Sequence, residues 1–331
     1  MKYFVTGASG FIGSWVVRRL LDQAGMEGTT EVCCLVRPGS NRRWLRDPRL
    51  EIRMGSLEDS AALVRGVEDA DCVIHAAGAI KALRADDYFR TNVAGTVNLL
   101  EAIATANPRL RRLVLISSQA AAGPAPSAEP LTETAPPAPV SDYGRSKLLA
   151  EQAVRRHYAG IPWTILRPAV VYGPRDTALL PLFRLAACGI APSLLRGTRQ
   201  FSAVWIDDLV SAILAAAEAP RCAGETFFVS AEEPVNTAEF CAGIARLAGR
   251  KPLPLPLPHG IIRIAAAATG LAARIGGRPQ MLSRDKIREL SQLYWLASST
   301  RLTECLEWAP QTDLDSGLRA TLEWYRAEGW L

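Results

Sequence analysis

The sequence is short of metal-binding chemistry. It has three histidines in 331 residues, and His75, His157 and His259 lie far apart. Its seven cysteines show no ligand-like spacing. Cys33 and Cys34 are adjacent inside an apolar run and read as small buried hydrophobes, with neither a disulfide nor a metal centre expected. No block of Lys and Arg stands out: the net charge of +5 is spread along the chain, so a nucleic-acid partner is not expected. The start has no charged segment followed by an apolar core, so no signal peptide is expected and the cytoplasm is the expected compartment. One apolar stretch, Ile261 to Gly277, is interrupted by Arg263 and Arg274 and is too short and too charged for a membrane span. It reads first as a buried helix, with a substrate lid or a membrane-surface helix as alternatives. No internal repeat is evident.

What remains is the composition of a soluble globular enzyme, 49% hydrophobic and 21% charged, long enough for one large domain or two intimate ones. Short apolar runs (Tyr3 to Val5, Val32 to Val36, Cys72 to Ala76, Leu113 to Ile116, Trp163 to Leu166) alternate with helical spacing around Trp15 to Leu21, Ala61 to Val64, Thr91 to Ala104 and Ser146 to Arg155. This alternation predicts an α/β fold, a Rossmann-type doubly wound parallel sheet covered on both faces. Ligands then bind beyond the carboxyl ends of the strands. The Pro- and Ala-rich stretch from Gly123 to Val140 reads as a loop. Lys251 to Pro258, alternating Pro and Leu, reads as an extended spacer.

Three groups of residues carry chemistry. Val5-Thr6-Gly7-Ala8-Ser9-Gly10-Phe11-Ile12-Gly13 follows a strand and opens a helix. Gly7 permits the tight turn, Gly10 lets the backbone approach a pyrophosphate, and Gly13 allows close helix packing. The second strand ends at Val36-Arg37-Pro38, where an acidic residue would favour NAD. Arg37, with Arg42 and Arg43 nearby, suits a 2′-phosphate, so NADP(H) is favoured and NAD(H) is the alternative; Arg37 stacked on adenine is the plainer reading. Tyr143 and Lys147, four apart, share a helix face. A free phenol has a pKa near ~10, and an adjacent ammonium is expected to lower it, so that Tyr143 exchanges a proton while hydride moves. Ser117 and Ser118 end a strand where a hydroxyl can bond a substrate oxygen.

With these motifs in hand, the chain resembles the extended short-chain dehydrogenase/reductase family, also called the NAD-dependent epimerase/dehydratase family. Further shared motifs are His75-Ala76-Ala77-Gly78, Asn92-Val93-Ala94-Gly95-Thr96, Leu166-Arg167-Pro168 through Tyr172-Gly173-Pro174, and Val204-Trp205-Ile206-Asp207-Asp208. The resemblance implies a Ser118-Tyr143-Lys147 triad and a cofactor lined by Ala76, Ala77 and Gly78. It places Asn92 beside the active site and the backbone from Pro168 through Val170 to Val171 against the nicotinamide carboxamide. It implies an NAD(P)-binding domain of residues 1–170 and 203–230, a substrate lobe of 171–202 and 231–331, and a homodimer formed through the Tyr-Lys helix. Residues 204–217 are expected to return to the nucleotide domain. Two departures stand out. Gly55-Ser56-Leu57 replaces a common Gly-Asp-Leu, so Ser56 can bond adenine but carries no charge. Val170 stands where sugar-nucleotide epimerases often have an asparagine.

The lobe is expected to offer oily surface at Leu179 to Phe183, at the Pro/Leu spacer and at Ile261 to Gly277. Arg175, Arg184, Arg196 and Arg199 are the cations available to a diphosphate. The leading expectation is an NADP(H)-dependent ketone reductase or alcohol dehydrogenase on an apolar substrate, resembling the 3β-hydroxysteroid dehydrogenase and dihydroflavonol reductase branch. A nucleotide-sugar epimerase or dehydratase that retains its cofactor, and a non-catalytic cofactor-sensing protein, are the alternatives.

Overall fold

A computed structural model describes residues 1–27, 30–157, 160–194, 199–257 and 284–331. His259, Arg196 and the apolar stretch 261–277 lie outside the described residues. The first six strands are β1 (Lys2–Thr6), β2 (Glu31–Val36), β3 (Leu50–Met54), β4 (Cys72–His75), β5 (Arg112–Ile116) and β6 (Trp163–Pro168). Short strands follow: β7 (Val170–Tyr172), β8 (Ile190–Leu194), β9 (Gln200–Phe201) and β10 (Ala203–Trp205). With β11 (Glu225–Val229), the first six form one seven-stranded sheet in the order β11-β6-β5-β4-β1-β2-β3. Every pairing in it is parallel. The register aligns Thr6 with His75 and Ile116 with Leu166, so the loops that follow leave from one edge.

Successive strand residues go to opposite faces. Tyr3, Val5, Cys34, Ile74 and Val114 pack on one side with α1 (Phe11–Glu27). Phe4, Cys33, Leu35, Val73 and Leu113 pack on the other with α2 (Ser60–Val67). The adjacent cysteines thus serve both cores as free, buried thiols. The second side is completed, through α3 (Ala85–Phe89), by α4 (Gly95–Ala106), then by α5 (Gln119–Ala122) and α6 (Asp142–His157). Past α7 (Leu180–Ala187), the helix α8 (Ile206–Glu218) joins the first side against α1. A third core gathers Tyr172, Phe183, α9 (Thr237–Leu247) and the Leu314–Ala327 helix.

Several segments differ from their sequence reading. β3 escapes the apolar-run criterion because it is an edge of the sheet, alternating Glu51 and Arg53 with half-buried Leu50 and Ile52, whereas β11, the other edge, is a buried Thr-Phe-Phe-Val run that the alternation of the first half did not include. The Pro/Leu stretch is no free spacer, since Leu253–Leu257 pairs in parallel with β8. Pro254 and Pro256 remove every second N–H, which leaves the segment able to pair along one side only. The oily surface expected at Leu179 to Phe183 is partly core: Phe183 is fully buried, edge-on to Phe240 and Tyr325. The helix read as Thr91 to Ala104 opens with a π turn at Arg90–Ala94 before α4 begins.

Candidate active site

The glycine turn is built by exclusion. Gly7 has φ +74, and a Cβ there would sit 2.5 Å from the Ala77 nitrogen. A Cβ on Gly13 would collide with the Gly7 carbonyl oxygen. Gly10 is exposed, and its Cβ would have only that same oxygen close by, at 3.2 Å. Its bare edge therefore faces open space, which suits close approach by a ligand. Ser9, Phe11 and Ile12 are half-buried around it. The first turn of α1 contains no acidic side chain, so its unpaired amides and positive dipole end meet no internal anion. These features fit a dinucleotide pyrophosphate.

The other cofactor candidates follow along the same sheet edge. Arg37 is exposed directly after β2. The Ser56 hydroxyl oxygen accepts from the Glu58 amide at 3.1 Å, and the Leu57 carbonyl accepts from Asn98 at 2.8 Å. Ala76 and Ala77 are half-buried and Gly78 is exposed. A Cβ on Gly78 would lie 3.2 Å from Asn92 Oδ1 and 3.5 Å from Lys147 Nζ. Asn92, in the π turn, donates to Ser146 at 2.8 Å and accepts from the Ala79 amide at 2.7 Å, tying that loop to α6. Pro168 ends β6 and Val170 and Val171 continue in β7; the Val170 amide donates to Ser202 at 3.1 Å.

Ser118, Tyr143 and Lys147 come together where β5 ends. Ser118 caps α5, its hydroxyl oxygen accepting from the Ala120 amide at 3.1 Å. Burial around the Tyr143 hydroxyl pushes its pKa up to about 12; a hydrogen bond with Ser118 opposes this and the Glu289 carboxylate adds to it. Lys147 is buried and donates to the Ile116 carbonyl at 2.7 Å. Burial brings its pKa down to about 8, with Glu151 opposing. The expectation that the ammonium would hold Tyr143 below its ordinary value is thus corrected. Desolvation sets the direction, and the Lys147 ammonium is turned to the Ile116 carbonyl.

Of the serine pair, Ser117 faces inward. Its hydroxyl donates to Glu151 Oε1 at 2.6 Å. Glu151 is fully buried and is gripped by Arg167 through two hydrogen bonds of 2.9 and 2.7 Å, with Arg155 at 3.1 Å. Tyr143, Lys147 and Glu151 repeat every four residues on one face of α6. That stripe was the available signal for Glu151, while its partner Arg167 needed the fold. No sequence signal pointed to the other end of α6. There, Asp285 accepts from the Asp142 and Tyr143 amides at 2.7 and 3.2 Å, and Glu289 accepts from the Ser141 hydroxyl at 2.6 Å.

His75 lies in the core, bonded to Thr6 at 2.6 Å and Thr96 at 3.0 Å. Burial lowers its pKa to about 3. Three of the four lobe arginines are engaged within the protein. Arg175 stacks on Trp15 at 5.0 Å and Trp44 at 4.6 Å and donates to the Ser14 carbonyl at 3.0 Å. Arg184 donates to the Trp330 carbonyl at 3.0 Å, and Arg199 to that of Leu290. Arg43 stacks on Trp44 at 4.2 Å and Trp330 at 4.8 Å. Among the described residues no three metal-ligating side chains converge, and no helix is long and apolar enough to cross a membrane.

Sheet order, glycine turn and helix-borne Tyr-Lys pair define a Rossmann-type oxidoreductase. The chain belongs to the NAD dependent epimerase/dehydratase family, whose model matches residues 3–229. It is 31% identical to the ceramide reductase of Caulobacter vibrioides, over 99% of this chain and 95% of that one. It is 28% identical to the 2-alkyl-3-oxoalkanoate reductase of Shewanella oneidensis, over 87% of this chain and 77% of that one. Nucleotide-sugar epimerases are also among its relatives. It shares its fold with the dTDP-glucose 4,6-dehydratase of Bacillus anthracis, solved in complex with NAD, at a TM-score of 0.80 and 22% identity over 100% of this chain and 98% of that one.

Proposed function

We propose that the protein reduces a ketone, or oxidises the matching secondary alcohol, on an apolar substrate, using NADP(H) in preference to NAD(H). The observation that carries this reading is the meeting of Ser118, Tyr143 and the buried Lys147 at the carboxyl edge of the sheet, with Ser118 acting on the Tyr143 hydroxyl. A ketone seated there meets two hydroxyl donors. When bound, a nicotinamide cofactor would supply the hydride that the carbonyl carbon takes up. Tyr143, kept protonated by its surroundings, gives its proton to the carbonyl oxygen, and Ser118 steadies the charge on that oxygen. Lys147 lies beside Gly78, in reach of a cofactor ribose. Residues 1–170 and 203–230 would form the cofactor domain, the remainder the substrate lobe, and α6, with Leu149 exposed on it, the face of a homodimer.

An apolar substrate is favoured over a nucleotide sugar on two grounds. Arg175, Arg184 and Arg199 are already committed within the protein, and Val170 offers no side-chain donor. A ceramide reductase and a 2-alkyl-3-oxoalkanoate reductase stand among the relatives. The test mixes purified protein with NADPH or NADH and either 3-oxo esters of increasing chain length or UDP-glucose. Consumption of NADPH by the longer esters is expected. Tyr143→Phe should lower turnover by about 10²–10⁴-fold, and Arg37→Asp should move preference toward NADH. Conversion of UDP-glucose without net change in nicotinamide absorbance would overturn the reading.

A further inference from the structure

We propose that Asp285 and Glu289 are positioning residues, a carboxylate cap through which the C-terminal part of the chain aligns Tyr143 for proton transfer. The inference rests on the role proposed for Tyr143 and adds a pair of residues to it. The first turn of any helix carries four amides with no partner of its own. In α6 three of them are satisfied from outside the helical ladder: Asp285 takes the amides of Asp142 and Tyr143, and the Ser141 hydroxyl oxygen takes that of Gly144 at 2.9 Å, before the ladder begins with the Arg145 amide on the Ser141 carbonyl at 2.9 Å. The Ser141 hydroxyl in turn donates to Glu289. Two of these three capping bonds are therefore supplied from 142 or more residues away in sequence. Its source is the Arg284–Leu290 helix, held in place by Trp295, whose indole donates to the Glu289 carbonyl at 2.9 Å.

Charge gives the cap a second effect. The positive end of α6 would favour a phenolate at Tyr143. Two carboxylates at that end oppose it, and Glu289 is itself buried. The groups that act on the Tyr143 hydroxyl are Ser118, from the β5–α5 turn, and Glu289; the Tyr88 ring stands at 5.9 Å between ring centres, and the charged groups nearest Tyr143 along α6 are Asp142, Arg145 and Lys147. Asp285 and Glu289 come with their own cations, Arg288 at 3.8 Å and Lys286 at 2.7 Å. Removing the Glu289 charge makes the phenolate easier to form, and removing Lys286 makes it harder.

Alcohol oxidation needs the phenolate, so its rate climbs with pH toward the Tyr143 pKa of the NADP⁺ complex, which the cationic nicotinamide ring draws below that of the free protein. The experiment measures that climb with NADP⁺ and the 3-hydroxy ester matching the best 3-oxo ester. It compares wild type, Glu289→Gln and Lys286→Met. Glu289→Gln keeps an acceptor for Ser141, and Lys286→Met changes a surface group. The midpoint should move down by about half a pH unit or more in the first and up in the second. A purely structural role lowers the plateau without moving the midpoint. Two unmoved midpoints, with Tyr143→Phe inactive, overturn the cap proposal and leave the function standing. Wild-type turnover by Tyr143→Phe overturns both. Hydrogen exchange of the Asp142 and Tyr143 amides in Asp285→Ala gives a readout without turnover: acceleration supports the cap, and unchanged protection refutes it.

Discussion

At its amino end, α6 meets carboxylates that arrive from a distant, half-exposed helix. One turn past Lys147, Glu151 is fully buried and held by Ser117, Arg155 and Arg167, which lie 34, 4 and 16 residues away. Both devices use carboxylates, but their surroundings differ. The Glu151 cluster sits between sheet and helix, where no water competes and an unpaired charge is very costly. The Asp285–Glu289 cap lies at the lobe, where solvent reaches Asp285 and screens part of the interaction. The first is a fixed base under Lys147, and the second is a contact that can be lost without collapsing the core.

The contrast is broken most sharply at the buried end. Arg167→Met leaves the buried Glu151 with only Ser117 and the partly exposed Arg155 and should cost about 3–5 kcal/mol. The double variant Glu151→Leu with Arg167→Met removes both charges and should recover much of that loss. Urea unfolding of the three proteins measures it. A single variant that unfolds at the wild-type midpoint would show that the pair contributes nothing to holding α6 on the sheet.

The core also titrates, in a known direction. The His75 pKa is lowered by burial from 6.5 to about 3. A group lowered on folding stabilises fully above its unfolded value, and the contribution fades as pH falls through the folded value. Wild-type stability should therefore fall between pH 6.5 and 3, by a few kcal/mol at the acid end. His75→Gln, which retains polar contact with Thr6 and Thr96, should show a shallower acid slope. Equal slopes in urea titrations across that range would remove His75 from the account.

Which parts of this were legible in the sequence follows from the range of the interactions. The glycine turn is local: Gly7, Gly10 and Gly13 answer to each other and to one strand. Tyr143 and Lys147 are one helical turn apart, and the parallel sheet announces itself through the buried centre strands. The edge strand β3 hides because half its residues face water, and Leu253–Leu257 hides because its prolines mimic a loop. Glu151 was visible as a stripe but not as an ion pair, since Arg167 lies on another element. Asp285 and Glu289 look like ordinary surface acids in a helix of mixed charge. Their role exists only once the chain has folded back onto α6. The same holds for the rise in the Tyr143 pKa, because spacing reports the neighbouring ammonium and says nothing of desolvation.

The smallest effect belongs to the cap itself. Asp285→Ala removes acceptors from two amides whose loss water can partly make good, so it should cost about 0.5–2 kcal/mol, the range of a helix N-cap. That is well below the loss expected from Arg167→Met, and the order of the two is what the comparison predicts. The balance should reverse for alignment. Glu151 acts through Lys147 and the sheet, whereas Asp285 bonds the backbone amide of Tyr143 directly. Per kcal/mol of stability lost, Asp285→Ala should therefore take more from the rate of ketone reduction than from cofactor affinity. Nicotinamide fluorescence titration and steady-state kinetics on the same preparation test this. Parallel losses of binding and rate would mean that the cap merely stabilises the helix.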